Sequence, residues 1–325
     1  MKLDIRELKA RAAALADENR ASLRTLVLWF CGVLAVLTLG SNGLSLYLDS
    51  QIGNTGGLEG IGLRSLLQTI QTLLSYINQF FGPYWTAGFL AAMIAMVHGR
   101  QPQPRDLAEG FRRPLRILGY VVFEAAAALL LMVAVANVAA VLFTMSPMGD
   151  DFYENVAPLL LDPNILTAEG YLNEELITVD ALVRSMLPML VITGVIYLPL
   201  FAVMAYGFRL ALYLVLEGKM GAIPAHFLSV RLMKGHMLQM LRLDLGWWWY
   251  YLLEGLCYCV AYLPSILLLL DVGLPMGDTA ALFVGMAAYC GLYTLLCLWK
   301  KPQVDASYVL AYEAILPKAP QEAAE

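Results

Sequence analysis

Long apolar runs separated by short polar connections set the pattern of the chain. Apolar residues fill about 26–48, 115–145, 182–216, 245–270 and 279–299. Each run can supply the roughly 20 helical residues that cross a ~30 Å hydrocarbon layer. A shorter run, 84–97, follows a stretch at 61–80 in which Arg64, Gln68, Gln71, Ser75 and Asn78 recur at three- and four-residue steps. Those five share one helix face. Gly82-Pro83 is expected to break the pattern between the two. The amphipathic stretch then either completes the crossing or lies at the outer interface. Its polar face lines a wet cavity or meets head groups and neighbouring helices. The pattern predicts an all-α fold, a polytopic membrane helical bundle of about six transmembrane helices with amphipathic interfacial helices.

Residues 1–24 read as an amphipathic leader, with Leu3, Leu8, Ala12 and Leu15 near helical spacing among Lys2, Arg6, Lys9 and Arg11. Residues 224–243 read as a second amphipathic helix. Pro224 starts it, Phe227, Leu228, Met233, Met237, Met240 and Leu241 form its apolar part, and Arg231, Lys234 and Arg242 project from related faces. The tail, 302–325, is polar and Ala/Pro/Glu-rich at its end and reads as frayed. The membrane domain is thus 25–301, between the leader and the tail.

Basic residues fix the expected orientation. They gather in the leader, in the 2–3 connection (Arg100, Arg105, Arg112, Arg113, Arg116), in the 4–5 connection (Lys219, Arg231, Lys234, Arg242) and in the tail (Lys300, Lys301, Lys318). The intervening connections hold only Arg64. This alternation is the positive-inside pattern for six spans with both termini cytoplasmic. Trp247, Trp248, Trp249, Tyr250 and Tyr251 at the start of the fifth run suit the head-group boundary on that side. The 3–4 connection, 146–181, is acidic and reads as a solvated outer loop without the spacing of a calcium-binding hand.

Composition narrows the chemistry. Of 325 residues 60% are hydrophobic and 14% charged, against roughly 25% charged in a soluble domain, and mean hydropathy is +0.66. A net charge of −5 without a basic domain argues against a nucleic-acid partner. The five cysteines lie in apolar runs, and Cys257 and Cys259 point to different helix faces, so neither a disulfide framework nor a metal site is predicted. His98, His226 and His236 form no zinc motif, and neither a nucleophile elbow nor a phosphate-binding or dinucleotide loop is present. A non-enzymatic protein without a cofactor is expected.

Three ionisable residues fall inside apolar runs: Glu124, Arg209 and Glu254. Burying charge in a membrane is costly, which marks such residues as functional candidates. Counting at ~1.5 Å per residue puts all three roughly 10–14 Å from the cytoplasmic boundary. Arg209 is therefore expected to pair with Glu124, Glu254 or both. The cluster either clamps the spans together or serves a transporter or binder of a small polar or amphipathic substrate. Arg231, Lys234 and Arg242 are the candidates for anionic lipid head groups or a cytoplasmic protein partner.

The stretch FLSVRLMKGHMLQMLRLDLGWWWYYLL, with the opening MKLDIRELKARA, resembles an uncharacterised bacterial integral membrane protein family, the domain of unknown function 975. The matching residues are Ser229, Leu232, Met233, Lys234, Gly235 and His236, then Leu241, Leu243 and Trp248. Arg231 stands one place later than in the family's pattern, because Val230 intervenes. Pro302, Tyr308, Tyr312 and Glu313 are similar to the family's closing pattern. The resemblance implies a multi-pass fold in the bacterial cytoplasmic membrane and carries no activity with it. The long acidic loop departs from the family's compact members.

Overall fold

The computed structural model describes residues 4–54, 60–162, 178–218, 220–269 and 278–316. The acidic residues Glu169, Glu174 and Glu175 and the basic Lys219 lie outside them. Among the described residues there is no strand, and the fold is an all-α polytopic helical bundle. Among the described residues six helices are long and apolar enough to cross a membrane. The principal elements are α1 (Ile5–Glu18), α2 (Arg20–Asn54), α3 (Gly60–Val97), α4 (Pro114–Thr144), α5 (Val179–Phe208), α6 (Ala211–Leu216), α7 (Ala222–Met233), α8 (Met237–Gly246), α9 (Trp248–Leu269), α10 (Asp278–Trp299) and α11 (Lys301–Ile315). The chain forms two compact units, Met1–Val121 with Leu210–Glu325, and Val122–Arg209.

In the first unit α2, α3, α9 and α10 carry the long apolar stretches, and a layer built largely from amphipathic pieces covers one end of them. The tail contributes most to that cap. Residues 301–315 are not frayed: they form α11, in which Val304, Ser307, Val309, Ala311 and Tyr312 are all buried. Pro302 pre-sets the first turn, where its missing N–H costs nothing. The leader is equally engaged. Asp4 caps α1 by accepting from the Arg6 and Glu7 N–H groups at 2.9 and 3.2 Å, and α1 packs on α11 with Ala12 and Ala16 buried. Lys9 Nζ donates to the Gly246 carbonyl at 2.7 Å and stands 4.2 Å from the centroid of Trp247.

Pro83 does not break α3, which runs unbroken through 38 residues. That is about 57 Å of helix, nearly twice the hydrocarbon thickness, and its two ends differ. Leu66, Leu73 and Tyr76 are more than half exposed, whereas Ala87, Phe89, Ala92, Met93 and Met96 are fully buried. Hydropathy marks Gln79–Val97 as the candidate span within α3. Tyr84 Oη donates to the Pro114 carbonyl at 3.2 Å, at the first residue of α4. Trp85 Nε1 donates to the Phe30 carbonyl at 3.0 Å. Phe111 packs on Phe81, Tyr84 and Trp85, with centroids 5.3–6.4 Å apart. These aromatics suit a polar boundary, and the turns from there to Val97 pack against the 98–113 connection and α11. The 98–113 connection folds back along those turns. Gly88 and Gly110 permit it: an added Cβ would lie 2.0 Å from the Leu107 carbonyl oxygen and 1.9 Å from that of Tyr84, respectively.

Two further expectations change. Residues 224–243 are not one helix, because α7 and α8 meet at a turn where Gly235 has φ +91°, a conformation open to glycine and rarely to other residues. The fourth apolar run, 182–216, is also divided. Helix α5 passes through Pro188 and Pro199 and ends at Phe208, with Arg209 and Leu210 in a turn before α6. The fifth helix starts at Trp248, since Leu245 and Gly246 close α8. In the second unit, α4 is followed by short helical pieces at Pro147–Asp151, Phe152–Val156 and Ala157–Leu160.

Candidate functional site

The cap fixes the geometry below it. Trp247 Nε1 donates to Ser307 Oγ at 3.0 Å, and Ser307 Oγ in turn donates to the Val304 carbonyl at 2.6 Å. The Tyr308 hydroxyl donates to Asp244 and lies 2.6 Å from the Tyr251 hydroxyl. These bonds tie α11 to α8 and to the start of α9, and so set the position of the first residue of α11, Lys301.

Lys301 sits at the mouth of the apolar bundle. Its ammonium lies 3.3 Å from Asp305 Oδ2, one helical turn on, and 5.4 and 5.8 Å from the ring centroids of Phe89 and Phe30. Burial alone would pull its pKa down, but the neighbouring groups, Asp305 foremost and Glu254 among them, more than offset this and hold the ammonium above its ordinary value. Lys301 therefore stays charged at neutral pH.

Beneath Lys301 lies a cavity of about 380 Å³ between α2, α3, α9, α10 and α11. Its polar lining includes Glu254, Tyr258, Tyr289, Tyr293, Thr38 and Thr294, and Cys31 and Cys290 also face it. The tyrosines form a ladder, with Tyr258–Tyr289 centroids at 5.1 Å and Tyr289–Tyr293 at 5.6 Å. Along their helices, Glu254 stands roughly 9 Å from Trp248 and Tyr289 roughly 15 Å from Trp299. The cavity thus reaches from the capped boundary toward the middle of a bilayer. Among the described residues Glu254 makes no ion pair or hydrogen bond. The lining thus holds one carboxylate and one ammonium, beside aromatic faces that attract cations.

Glu124 and Arg209 belong to the second unit and Glu254 to the first. Glu124 and Arg209 are both half-buried. No ion pair joins them, and the Arg209 guanidinium stands 5.4 Å from the Tyr206 ring centroid. Glu254 is the member that lines a cavity. Its partners there, Lys301 and the tyrosines, were not singled out from sequence. The signal was present: Lys301 and Asp305 are spaced one turn apart, and Val304, Tyr308, Ala311 and Ile315 carry a helical apolar period.

The residues of the Ser229–His236 motif serve the cap. The buried Ser229 hydroxyl accepts the Leu210 N–H at 3.0 Å, which satisfies a backbone donor at the start of α6. Met233 is fully buried, Gly235 makes the turn, and His236 Nδ1 lies 3.2 Å from Gln239 Oε1. His226, also buried, stacks on Tyr120 at 5.1 Å. Arg113 and Arg116 donate to the Leu216 and Gly218 carbonyls, each at 3.0 Å, placing cations at the negative end of α6. Arg231, Lys234 and Arg242 are exposed and form no ion pair among the described residues. Of the polar face at 61–80, Gln68 is exposed and Gln71 half-buried. The side chains of Arg64, Ser75 and Asn78 lie outside the described set.

Among the described residues no cluster of His, Cys, Asp or Glu could hold a metal ion. Comparisons with protein-family models, with curated proteins and with solved structures found no match.

Proposed function

We propose that this membrane protein is a non-enzymatic binder or transporter of a small polar or amphipathic molecule carrying a cationic group, with Glu254 as the residue that receives it. The observation that carries this reading is the cavity: about 380 Å³ of space faced by a carboxylate that forms no hydrogen bond among the described residues. The tyrosine faces and the Glu254 carboxylate favour a cation, and Lys301, held by Asp305, stands at the capped end. The alternating basic connections support placement in the cytoplasmic membrane with both termini inside, and the resemblance to the domain of unknown function 975 supports a bacterial source.

Cys290 lines the cavity and is partly accessible, whereas Cys31, Cys257 and Cys297 are buried. In a Cys259→Ala background, small methanethiosulfonate reagents applied to the protein in liposomes should therefore label Cys290. The cationic reagent should react severalfold faster than the anionic one, and Glu254→Gln should remove that preference. An unreactive Cys290 would mean a dry bundle and would overturn the reading. Equal rates in both backgrounds would overturn the role of Glu254.

A second reading rests on α7 and α8. Phe227, Leu238 and Leu245 are exposed beside the unpaired Arg231, Lys234 and Arg242. This surface suits the inner leaflet or a cytoplasmic protein partner.

A further inference from the structure

A hollow of about 670 Å³ lies at the junction of α1, α2, α10 and α11. One end is walled by the bundle residues Leu28, Leu295 and Leu298, the other by Arg20, Arg24 and Lys300. Arg20 and Arg24 are one helical turn apart and exposed, and among the described residues neither forms an ion pair or hydrogen bond. Like charges at that spacing repel each other unless an anion stands between them. Lys300 adds a third cation, with its ammonium 2.9 Å from Gln303 Oε1 and 5.7 Å from the Trp299 centroid. Asp17 is the one acidic side chain in the lining, so the hollow carries a net charge of +2.

A second feature continues from the first. Leu28 also belongs to an apolar groove of about 440 Å³ that follows α2 past Trp29, Gly32, Val33 and Val36 to Leu37. A Cβ added at Gly32 would meet nothing within 4 Å, so the groove is open at its floor. From Leu28 to Leu37 it runs roughly 14 Å along the helix axis. A basic hollow at the polar boundary that leads into a lipid-facing apolar channel matches a molecule with a phosphate head and a hydrocarbon tail.

We infer that Arg20, Arg24 and Lys300 bind the phosphate of an anionic phospholipid whose acyl chain lies along α2 over Gly32. Arginine is suited to the head, because its planar fork binds phosphate oxygens in pairs. The site is separate from the Glu254 cavity in residues and in charge, and selects the opposite ligand sign.

Full-length protein in a neutral detergent, titrated with lipid and read by native mass spectrometry, tests this. Phosphatidylglycerol should be retained in preference to phosphatidylcholine, and glycerol phosphate at the same concentration should not displace it. Arg20→Gln/Arg24→Gln should weaken phosphatidylglycerol binding about thirtyfold, from the contribution of two basic groups near anionic lipid. Both side chains are exposed and unpartnered, so that variant should keep the parent's unfolding temperature. Gly32→Leu, which fills the groove without a clash, should weaken phosphatidylglycerol and leave the preference for anionic over zwitterionic heads intact. Equal retention of the two lipids would overturn the inference. So would displacement by glycerol phosphate, which would mark a site for a soluble anion. Binding unchanged in Arg20→Gln/Arg24→Gln but lost in Arg231→Gln/Arg242→Gln would place the lipid at α7 and α8 and overturn it as well.

Discussion

Replacing Gly88 with alanine tests whether the 98–113 connection packs against the turns of α3 beyond Tyr84. In the structure the new methyl would stand 2.0 Å from the Leu107 carbonyl oxygen and 2.6 Å from its carbon. Ordinary contact begins near 3.5 Å, so helix and connection would have to part by about 1.5 Å. Overpacking of this kind costs ~1–3 kcal/mol. Gly82, two turns earlier on the same helix, is the control, because a Cβ there meets nothing within 4 Å. Both changes gain up to about 1 kcal/mol in helix propensity, which cancels in the comparison. At roughly 2–4 °C per kcal/mol for a unit of this size, Gly88→Ala should unfold about 2–12 °C below Gly82→Ala. Thermal unfolding of the purified full chain reads the difference, and proteolysis should become faster within 98–113 in Gly88→Ala alone. Equal unfolding temperatures would mean that the connection does not lie against α3.

Other consequences are more local. Ser229→Ala leaves the Leu210 N–H without its acceptor in a buried site and should cost ~1–3 kcal/mol, read by thermal unfolding; a loss near zero would show that the turn before α6 needs no side-chain support. Asp305→Asn strands the Lys301 ammonium and should destabilise the chain by ~3–5 kcal/mol, while adding Lys301→Met should recover most of that; a double variant no better than the single one would refute the pairing. Replacing Arg231, Lys234 and Arg242 with glutamine in a peptide spanning α7 and α8 should weaken its binding to anionic vesicles by about 1 kcal/mol per residue; unchanged binding would remove the second reading of function.

The layout of long apolar helices was legible in the sequence because a membrane span needs length and hydropathy, and both can be counted. The limits of that signal show in α3. Residues 84–97 pack against α2, α11 and the 98–113 connection, and a protein core demands the same residue types as lipid does. The break at Arg209 and Leu210 was hidden for a different reason: the local residues are apolar, and the group that stabilises the turn, Ser229, lies far along the chain.

The candidate site was half visible. Glu254 stood out because a lone acid in an apolar run is expensive. Lys301 did not, because it follows Trp299 and Lys300 and looked like the start of a loose tail. Only the packing of α11 brings it over the cavity, through Trp247, Asp244 and Tyr308. Tyrosines at 258, 289 and 293 looked like ordinary span residues, and their meeting depends on α9 and α10 lying side by side.

The most direct measurement is a density map of the protein purified gently from its native membrane, at a resolution that shows small ligands and ordered water. The account predicts density that belongs to no protein atom in the cavity between Glu254 and the Tyr258–Tyr289 pair, with Lys301 still seated on Asp305. A cavity closed by side chains, with Glu254 paired inside the protein and nothing between the tyrosines, would contradict it.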